Sequence, residues 1–279
     1  MRYSDLFAAA LKKLKNNELA TAVQVLIEDS FALSREQFWV RKNQPIRDAN
    51  GVRRFRRRFR RLLAGEPLAY ILKEKEFYGE KFLVTPAVLI PRPETELLVE
   101  KALALIGPRP ARVLDIGSGS GNIAIVLALR SRAAVIALEK SRPALRILKK
   151  NIARFAVGHR VRPLAGDLFP REQGMYQLIV ANPPYLSRRE WRDSPAGIRR
   201  FEPRAALVAG ATGTEVLARI AAGAWRRLAP GGHLLLEIGR GQRRSLRRFL
   251  AGAGLRELEC VRDYAGIERV IVACRNGKR

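Results

Sequence analysis

Cysteine and histidine are scarce in this sequence, with two of each among 279 residues. Disulfide frameworks and structural zinc sites need several such residues at short spacings. Cys260 and Cys274 instead fall in separate strand-like segments near the end of the chain, which predicts buried free thiols. Neither His159 nor His233 has a nucleophile elbow or a metal-ligand pattern near it. We therefore expect no metal, no disulfide and no catalytic histidine.

Long apolar runs are also missing. The longest, Ile123–Leu129, is far shorter than the roughly 20 residues that a membrane-spanning helix needs. The N-terminus reaches Asp5, Lys12 and Lys13 before any adequate apolar segment, and it has no small-residue cleavage site. These features predict a soluble, cytoplasmic protein without a signal peptide or a membrane partner.

Acidic residues are outnumbered: 26 Asp and Glu against 53 Lys and Arg give a formal net charge of +27. Such a positive field favours association with nucleic acid or with an acidic assembly, and it says nothing about the fold. An arginine-rich surface that is simply solvated explains the same composition. The charge leaves both interpretations open.

The chain is long enough for a main domain with a smaller one appended. Apolar residues recur at helical spacing from Ser4 to about Lys73, which predicts a small helical domain over residues 1–75. Residues 76–92 hold short apolar runs interrupted by glycine and proline, a pattern typical of a β-hairpin linker. Residues 93–279 alternate helical and strand-like runs, which predicts an α/β domain with a mostly parallel, doubly wound sheet. The seven predicted strands, of which the last two form a closing hairpin, are Arg112–Ile116, Ala134–Leu138, Val161–Ala165, Gln177–Ala181, His233–Ile238, Leu255–Val261 and Arg269–Ala273.

A glycine-rich turn follows the first of these strands. It reads Asp115-Ile116-Gly117-Ser118-Gly119-Ser120-Gly121 and leads into an apolar helix that begins near Asn122. Glycine lets the backbone approach a ligand closely, because no Cβ intervenes. A dinucleotide fingerprint would place its third glycine at position 122, so the observed spacing fits a loop that binds S-adenosylmethionine better. Tight helix packing alone is the alternative explanation.

One acidic residue ends the second strand and another follows the third. Glu139 ends the second strand, where a carboxylate can accept hydrogen bonds from both ribose hydroxyls of a nucleoside. Asp167 and Leu168 follow the third strand, where the Asp167 carboxylate could bind an adenine amino group. An exposed carboxylate beside Lys140 and a turn-forming aspartate after Gly166 are the non-functional alternatives.

The motif Asn182-Pro183-Pro184-Tyr185 comes directly after the fourth strand, at the carboxyl edge where such sheets bind ligands. An amide or exocyclic amine nitrogen is a poor nucleophile because its lone pair is delocalised. The Asn182 side-chain oxygen and the Pro183 carbonyl could accept hydrogen bonds from the two N–H groups of this nitrogen, and Tyr185 could stack on the planar group. The two prolines stiffen the loop, which keeps these acceptors preorganised. The motif therefore indicates methylation of a planar nitrogen.

With these residues established, the chain resembles the release-factor glutamine methyltransferases, the HemK/PrmC family, over nearly its full length. The resemblance implies S-adenosylmethionine as cofactor, the glutamine of a Gly-Gly-Gln loop as substrate, and a helical domain that grips the release factor. The segments that resemble the family, besides the two motifs, are Gly65–Ile71, Leu89–Glu96, Glu202–Leu207, Pro230–Gly232, Glu237–Gly239 and Asp263–Arg269.

The sequence departs from the family pattern in a few places. Lys73 stands where a glycine is expected, Glu139 replaces the commoner aspartate, and the segment Ala211–Thr214 reads differently. The first and last departures bear on the fit to the protein substrate more than on the chemistry. Glu139 retains the carboxylate.

Three other functions are compatible with parts of the pattern. A ribosomal-protein glutamine methyltransferase shares most motifs but differs at Pro91–Glu96. A DNA or RNA adenine N6-methyltransferase would present the same planar N–H pair to the Asn182 motif, although a duplex base would have to be flipped out. A non-catalytic RNA-binding protein on the same scaffold would have lost the motifs that this chain retains.

The segment Arg53–Arg61 holds seven arginines interleaved with Phe55 and Phe59. On a helix, these phenylalanines together with Leu62 and Leu63 are expected to face the core, which leaves most guanidinium groups in water. We expect a basic stripe that makes weak, sequence-independent contact with RNA or the ribosome, with a solvated helix face as the alternative.

Overall fold

The computed structural model describes residues 1–14 and 19–275. The chain divides into two compact units, Met1–Lys73 and Glu74–Arg279. Within the described residues, no helix is long and apolar enough to cross a membrane.

The first unit is helical. Ser34 starts one of its helices with a capping box, in which its hydroxyl accepts from the Gln37 amide at 3.1 Å and the Gln37 side chain accepts from the Ser34 amide at 2.9 Å. Among the described residues of this unit, the helices are α1 (Tyr3–Leu11), α2 (Ala20–Phe31), α3 (Arg35–Arg41), α4 (Ala49–Leu63) and α5 (Leu68–Leu72).

Helix α4 shows how apolar spacing builds the core of this unit. Phe55 and Phe59 lie one turn apart, and their rings stack with centroids 5.5 Å apart. Both are buried, as is Leu62. Leu63 was predicted to face inward and this is wrong, because the residue is 45% exposed. The buried face ends at Leu62, and Leu63 lies one residue further around the helix, on the solvent side.

The second unit begins with a hairpin of β1 (Glu74–Phe77) and β2 (Glu80–Leu83). Tyr78 and Gly79, the two turn residues, both have positive φ, which is the geometry of a two-residue type I′ turn. Asn151 anchors the second strand: its side-chain oxygen accepts from the Leu83 amide at 2.9 Å and its amide donates to the Leu83 carbonyl at 3.0 Å.

The remaining elements alternate strands and helices. The strands of the main sheet are β3 (Ala111–Ile116), β4 (Ala133–Glu139), β5 (Val161–Ala165), β6 (Tyr176–Ala181), β9 (Leu228–Glu237), β10 (Leu255–Arg262) and β11 (Glu268–Arg275); a separate two-stranded pair is β7 (Leu186–Ser187) and β8 (Val208–Gly210). The helices are α6 (Thr95–Ile106), α7 (Asn122–Arg130), α8 (Arg142–Arg154), α9 (Arg188–Asp193), α10 (Ala196–Phe201), α11 (Glu215–Ala224) and α12 (Arg243–Gly252).

The seven-stranded sheet has the order β10-β11-β9-β6-β3-β4-β5. Strand β11 pairs antiparallel with both β9 and β10, and the other pairs are parallel. This confirms the predicted α/β class and its closing hairpin. Strand β9 starts at Leu228, earlier than predicted, because its residues before His233 pair irregularly with β6 across a register shift.

Both faces of the sheet are covered. Successive residues of β3 point to opposite sides, so Val113 packs in one apolar cluster and Leu114 in the other. Helix α7 is apolar on all sides, and its residues from Asn122 to Ala128 are buried. The glycine-rich turn and its neighbouring strand ends therefore rest on a rigid, fully packed layer.

Candidate functional site

Three predicted motifs meet at one edge of the sheet. In the ladder, Ile116 at the end of β3 lies opposite both Leu138 of β4 and Ala181 of β6. The next residue of each strand therefore emerges at the same level, which brings Gly117, Glu139 and Asn182 to adjacent strand ends. The chain runs outward in both directions from β3, so this is the switch point where doubly wound sheets bind ligands.

The three glycines of the turn have different surroundings. Gly117, Gly119 and Gly121 have φ of +72°, +56° and +84°. A Cβ on Gly117 would meet nothing within 4 Å, and one on Gly119 would meet only the Gly117 carbonyl at 3.9 Å. A Cβ on Gly121 would lie 2.4 Å from the Leu148 side chain. The first two glycines thus leave space for a ligand, and the third permits close packing against α8.

Glu139 is 8% exposed, so the alternative of an exposed carboxylate is wrong. Its Oε2 accepts from the Gly119 amide at 2.9 Å and its Oε1 accepts from the Ser141 amide at 2.7 Å. The carboxylate therefore ties the glycine-rich turn to the start of α8. Each oxygen keeps a lone pair for a ligand hydroxyl.

Asp115 is fully buried at the end of β3, and neither carboxylate oxygen has a hydrogen-bond partner among the described residues. Burial raises the pKa of Asp115 to about 7, and the nearby charge of Glu139 adds to that shift. The Ser118 hydroxyl, which donates to the Asp115 main-chain carbonyl at 3.1 Å, and the Ala124 amide lower this pKa, but they offset the effect of burial only in part. An orphaned acidic group below the turn is a mark of a functional site.

Asp167 lies beside the same strand ends and is 40% exposed. Its Oδ2 accepts from Lys140 Nζ at 3.2 Å and from Arg219 Nη2 at 3.1 Å. Partial burial would raise the pKa of Asp167, but these two hydrogen bonds outweigh it and hold the pKa below its usual value. Leu168 has a φ of +62°, which is a strained backbone for a leucine.

Asn182 is oriented by a chain of hydrogen bonds. Its side-chain Nδ2 donates to Thr95 Oγ1 at 2.9 Å, and that hydroxyl donates to Glu237 Oε2 at 2.7 Å. The Asn182 Oδ1 atom is shielded from solvent and has no partner among the described residues. An unpaired buried acceptor costs about 1–3 kcal/mol, which a bound N–H donor would recover.

Gln242 anchors residues 182–185, which we call the acceptor loop. Gln242 Nε2 donates to the Tyr185 carbonyl at 2.7 Å and to the Gly213 carbonyl at 3.1 Å, while its Oε1 accepts from the Gly239 amide at 2.9 Å. Burial raises the pKa of Tyr185 to about 12, helped by the charge of Glu237, so the phenol stays neutral. Pro183 is buried and Pro184 half-buried in the same loop.

An ion pair includes Arg92, whose charge lowers the pKa of Tyr185. Arg92 Nη2 donates to Glu202 Oε1 at 2.5 Å, and the Glu202 side chain is 2% exposed. The second carboxylate oxygen accepts from the Ile90 amide at 3.4 Å. This pair joins the segment before α6 to the segment after α10.

Sequence reasoning assigned no role to Thr95, Glu237, Gln242 or the Arg92–Glu202 pair. All except Gln242 lie in segments quoted for the family resemblance, and that was the only available signal. Within the described residues no cluster of His, Cys, Asp and Glu could hold a metal. Cys260 and Cys274 are free and half-buried.

Comparisons with known proteins agree with this geometry. Residues 93–197 match the methyltransferase small domain and residues 5–72 match the PrmC N-terminal domain. The chain is 45% identical to the release factor glutamine methyltransferase of Bordetella pertussis over 88% of this chain and 92% of that protein. It is 41% identical to the one of Neisseria gonorrhoeae, over 93% of each. A methyltransferase crystal structure from Pyrococcus furiosus shares the fold, with a TM-score of 0.55 and 18% identity over 80% of this chain and 99% of that one.

The seven-stranded sheet, with its glycine-rich turn and the Asn182 motif at the switch point, defines a methyltransferase that uses S-adenosylmethionine. The chain belongs to the release factor glutamine methyltransferase family. Its residues fit the cofactor, because open space lies beside Gly117 and Gly119, and the buried Glu139 carboxylate sits at the adjacent strand end.

Proposed function

We propose that this chain methylates the side-chain amide nitrogen of the glutamine in the Gly-Gly-Gln loop of peptide-chain release factors. The observation that supports this most directly is the unpaired, buried Asn182 Oδ1, which needs an N–H donor. The names of the relatives point to the same substrate.

The proposed chemistry is orientation of a weak nucleophile. Asn182 Oδ1 and the Pro183 carbonyl accept hydrogen bonds from the two N–H groups of the glutamine amide. The nitrogen lone pair is thereby directed at the methyl group. S-adenosylmethionine supplies an electrophilic methyl on a sulfonium. Held over Gly117 and Gly119 with its ribose at Glu139, the cofactor would give up this methyl to the oriented nitrogen and leave as the thioether, and the nitrogen would then lose one proton. Because the amide attacks while neutral and loses its proton only after the N–C bond has formed, the attack requires no general base.

The other roles follow from position. We assign Tyr185 and Pro184 to the planar face of the glutamine amide. For the cofactor, Gly117, Ser118, Gly119, Ser120 and Gly121 form the turn under it, Glu139 binds the ribose, and Asp167 with the Leu168 amide borders the adenine. Asp115 supports the turn from below, and Asn182 lies where cofactor and substrate meet.

The domain roles are part of the same proposal. The helical region, residues 1–75, recognises the release factor, residues 76–92 form the linker and residues 93–279 form the methyltransferase domain. Because release factors act on ribosomes, we place the protein in the cytoplasm.

Methylation assays decide between glutamine and adenine as acceptor. Labelled S-adenosylmethionine is supplied with a purified release factor, with the same factor carrying glutamate for the Gly-Gly-Gln glutamine, or with single-stranded DNA. We expect label only in the first reaction, with a mass increase of one methyl on the glutamine peptide. Label in DNA, or equal label in both release factors, would refute the proposal.

The same chain supports a second proposal, a phosphate-binding face on α4. Three of its seven arginines bond to residues outside α4: Arg54 donates to the Ser30 carbonyl, Arg58 pairs with Asp29, and Arg61 makes a bidentate pair with Glu66. The other four are exposed, occupy positions i, i+3, i+4 and i+7 of the helix, and have no ion pair among the described residues: Arg53, Arg56, Arg57 and Arg60.

These four arginines form what we call the basic face. Residues at this spacing line one side of a helix. No aromatic side chain is among them, so RNA would be held by its phosphates without base recognition. The expected ligand is the sugar–phosphate backbone of RNA, met near the ribosome.

A salt series tests this face. Phosphate contacts release counterions, so removing one such contact lowers the log–log salt slope by about 0.7–0.9. Arg56→Glu with Arg60→Glu should weaken RNA retention on a filter and lower the slope by about 1–2. The charge-matched control is Arg244→Glu with Arg247→Glu, two exposed residues of α12. Equal losses in both double variants would mean that net charge, and not this face, binds RNA. A larger loss of release-factor methylation than of RNA binding would assign the face to the protein substrate.

A further inference from the structure

The direction of the Asn182 amide decides whether the acceptor site works. Its oxygen and nitrogen ends have nearly the same size, so packing alone discriminates poorly between the two orientations. Only the orientation with Oδ1 toward the acceptor side can accept a substrate N–H. The reversed one would set two N–H groups against each other.

Thr95 determines that direction because a hydroxyl carries a single proton. An ionised carboxylate can only accept, so the Thr95 proton must point to Glu237. The Thr95 oxygen is then left as an acceptor, and it takes the Asn182 amide hydrogen at 2.9 Å. The Asn182 oxygen has to face the other way.

We propose that Glu237 and Thr95 are positioning residues that fix the Asn182 amide with its oxygen toward the substrate, and that only ionised Glu237 does so. This proposal deepens the proposed function and rests on it for the identity of the substrate. A protonated Glu237 could donate to Thr95, whose proton would then turn to Asn182 Oδ1. The amide would reverse and the site would lose its acceptor.

The surroundings of Glu237 make this ionisation sensitive. The residue ends β9 and is 1% exposed. The charged and titratable groups around it are Arg269 from β11, Arg92 and Glu94 from the segment before α6, and Tyr185 from the acceptor loop. Among the described residues, no cation forms an ion pair with it at 4 Å or less. A buried carboxylate without such a pair is costly, which is the mark of a functional constraint.

Burial raises the pKa of Glu237 to about 7, and the hydrogen bond from Thr95 and the charges of Arg269 and Arg92 offset this only in part. The ionised form of Glu237, which orients Asn182, therefore becomes more populated as pH rises through about 7. The effect on stability has the opposite sign. Because folding raises the pKa of Glu237, the stability that this carboxyl contributes is fully present below its ordinary pKa and is lost as pH rises through about 7.

Three variants separate positioning from mere packing: Thr95→Val removes the hydroxyl at constant shape, Thr95→Ser restores it, and Glu237→Gln removes the charge. With the release factor as substrate, Thr95→Val should lower kcat roughly 10- to 100-fold with little change in KM for the cofactor. Thr95→Ser should recover most of the rate. Glu237→Gln should lower kcat about 10-fold at pH 8 and abolish the acidic limb of the kcat profile near pH 7. Its melting temperature at pH 8 should exceed that of the wild type, which shows that the loss of rate is not a loss of fold.

A readout without substrate keeps this proposal separate from the choice of release factor. The side-chain amide of Asn182, assigned in a ¹H–¹⁵N spectrum by its absence in Asn182→Asp, should be protected from exchange at pH 8. That protection should fall at pH 6 in the wild type and should be lost in Thr95→Val at both pH values. The proposed positioning of Asn182 by Glu237 and Thr95 would be refuted by either of two results. One is equal protection of the amide in Thr95→Val, and the other is a wild-type fall in kcat below pH 7 in Glu237→Gln. If the release factor were not methylated at all while the spectra followed this pattern, only the substrate assignment would fail.

Discussion

Gly119 and Gly121 offer a matched pair of alanine substitutions, because they share one cause of strain and differ in a second. Both have positive φ, so an L-residue at either position costs about 1–2 kcal/mol through its backbone. At Gly119 the new Cβ enters open space. At Gly121 it would lie 2.4 Å from Leu148 Cδ1 and 3.1 Å from Ile125 Cδ1.

The difference in packing sets the magnitudes. Leu148 and Ile125 are completely buried, so neither can move without disturbing the core, and overpacking of this kind costs about 1–3 kcal/mol. Gly121→Ala should therefore lower the free energy of unfolding by about 2–5 kcal/mol, and Gly119→Ala by about 1–2 kcal/mol. Cofactor affinity should instead fall more in Gly119→Ala than in Gly121→Ala. The Cβ of Gly119→Ala occupies the space assigned to the ligand, and we expect its dissociation constant to rise by about 10-fold or more.

Two measurements are needed for each variant. Urea unfolding followed by circular dichroism, fitted with separate transitions for the two compact units, gives the stability change. Titration calorimetry with S-adenosylmethionine on the folded variants gives the affinity. Alanine is a cleaner probe than valine at position 119, since a β-branched residue at positive φ adds strain of its own. Equal stability losses, or wild-type affinity in Gly119→Ala, would refute the division of roles within the turn.

Further predictions concern the acceptor and the end of α5. Asn182→Ala should leave cofactor affinity nearly unchanged and lower turnover by roughly 10² to 10³, measured as methylated release factor per enzyme; a wild-type rate would contradict the role of Oδ1. Lys73 is exposed, and its backbone has the left-handed conformation, with a φ of +62° and a ψ of 23°. Lys73→Gly should therefore stabilise the helical unit by up to about 1 kcal/mol, measured in the same unfolding experiment. Lys73→Ala retains the strain and is the control, and an equal gain there would exclude backbone conformation as the cause.

The sequence was a reliable guide wherever the deciding interaction is local. Alternating and continuous apolar runs predicted the strands of the sheet, since side-chain period follows from backbone geometry. The glycine-rich turn and the Asn182 motif were recognisable because each is a short segment at a strand end. The missing glycine at position 73 was noted as a departure from the family, and its left-handed backbone explains why glycine suits that position.

Tertiary structure decided what depends on partners far apart in the chain. Asn182, Thr95 and Glu237 are separated by 87 and 142 positions, so no local pattern could indicate that their side chains form one hydrogen-bonded chain. The seven arginines of α4 look alike in sequence, and only the placement of Asp29, Ser30 and Glu66 separates those bonded outside the helix from those without an ion pair. Burial, which raises the pKa of Asp115 and Glu237, is likewise a property of the packed molecule. Periodicity and short motifs reside in neighbouring residues, whereas hydrogen-bond partners, desolvation and exposure exist only once distant segments have been brought together.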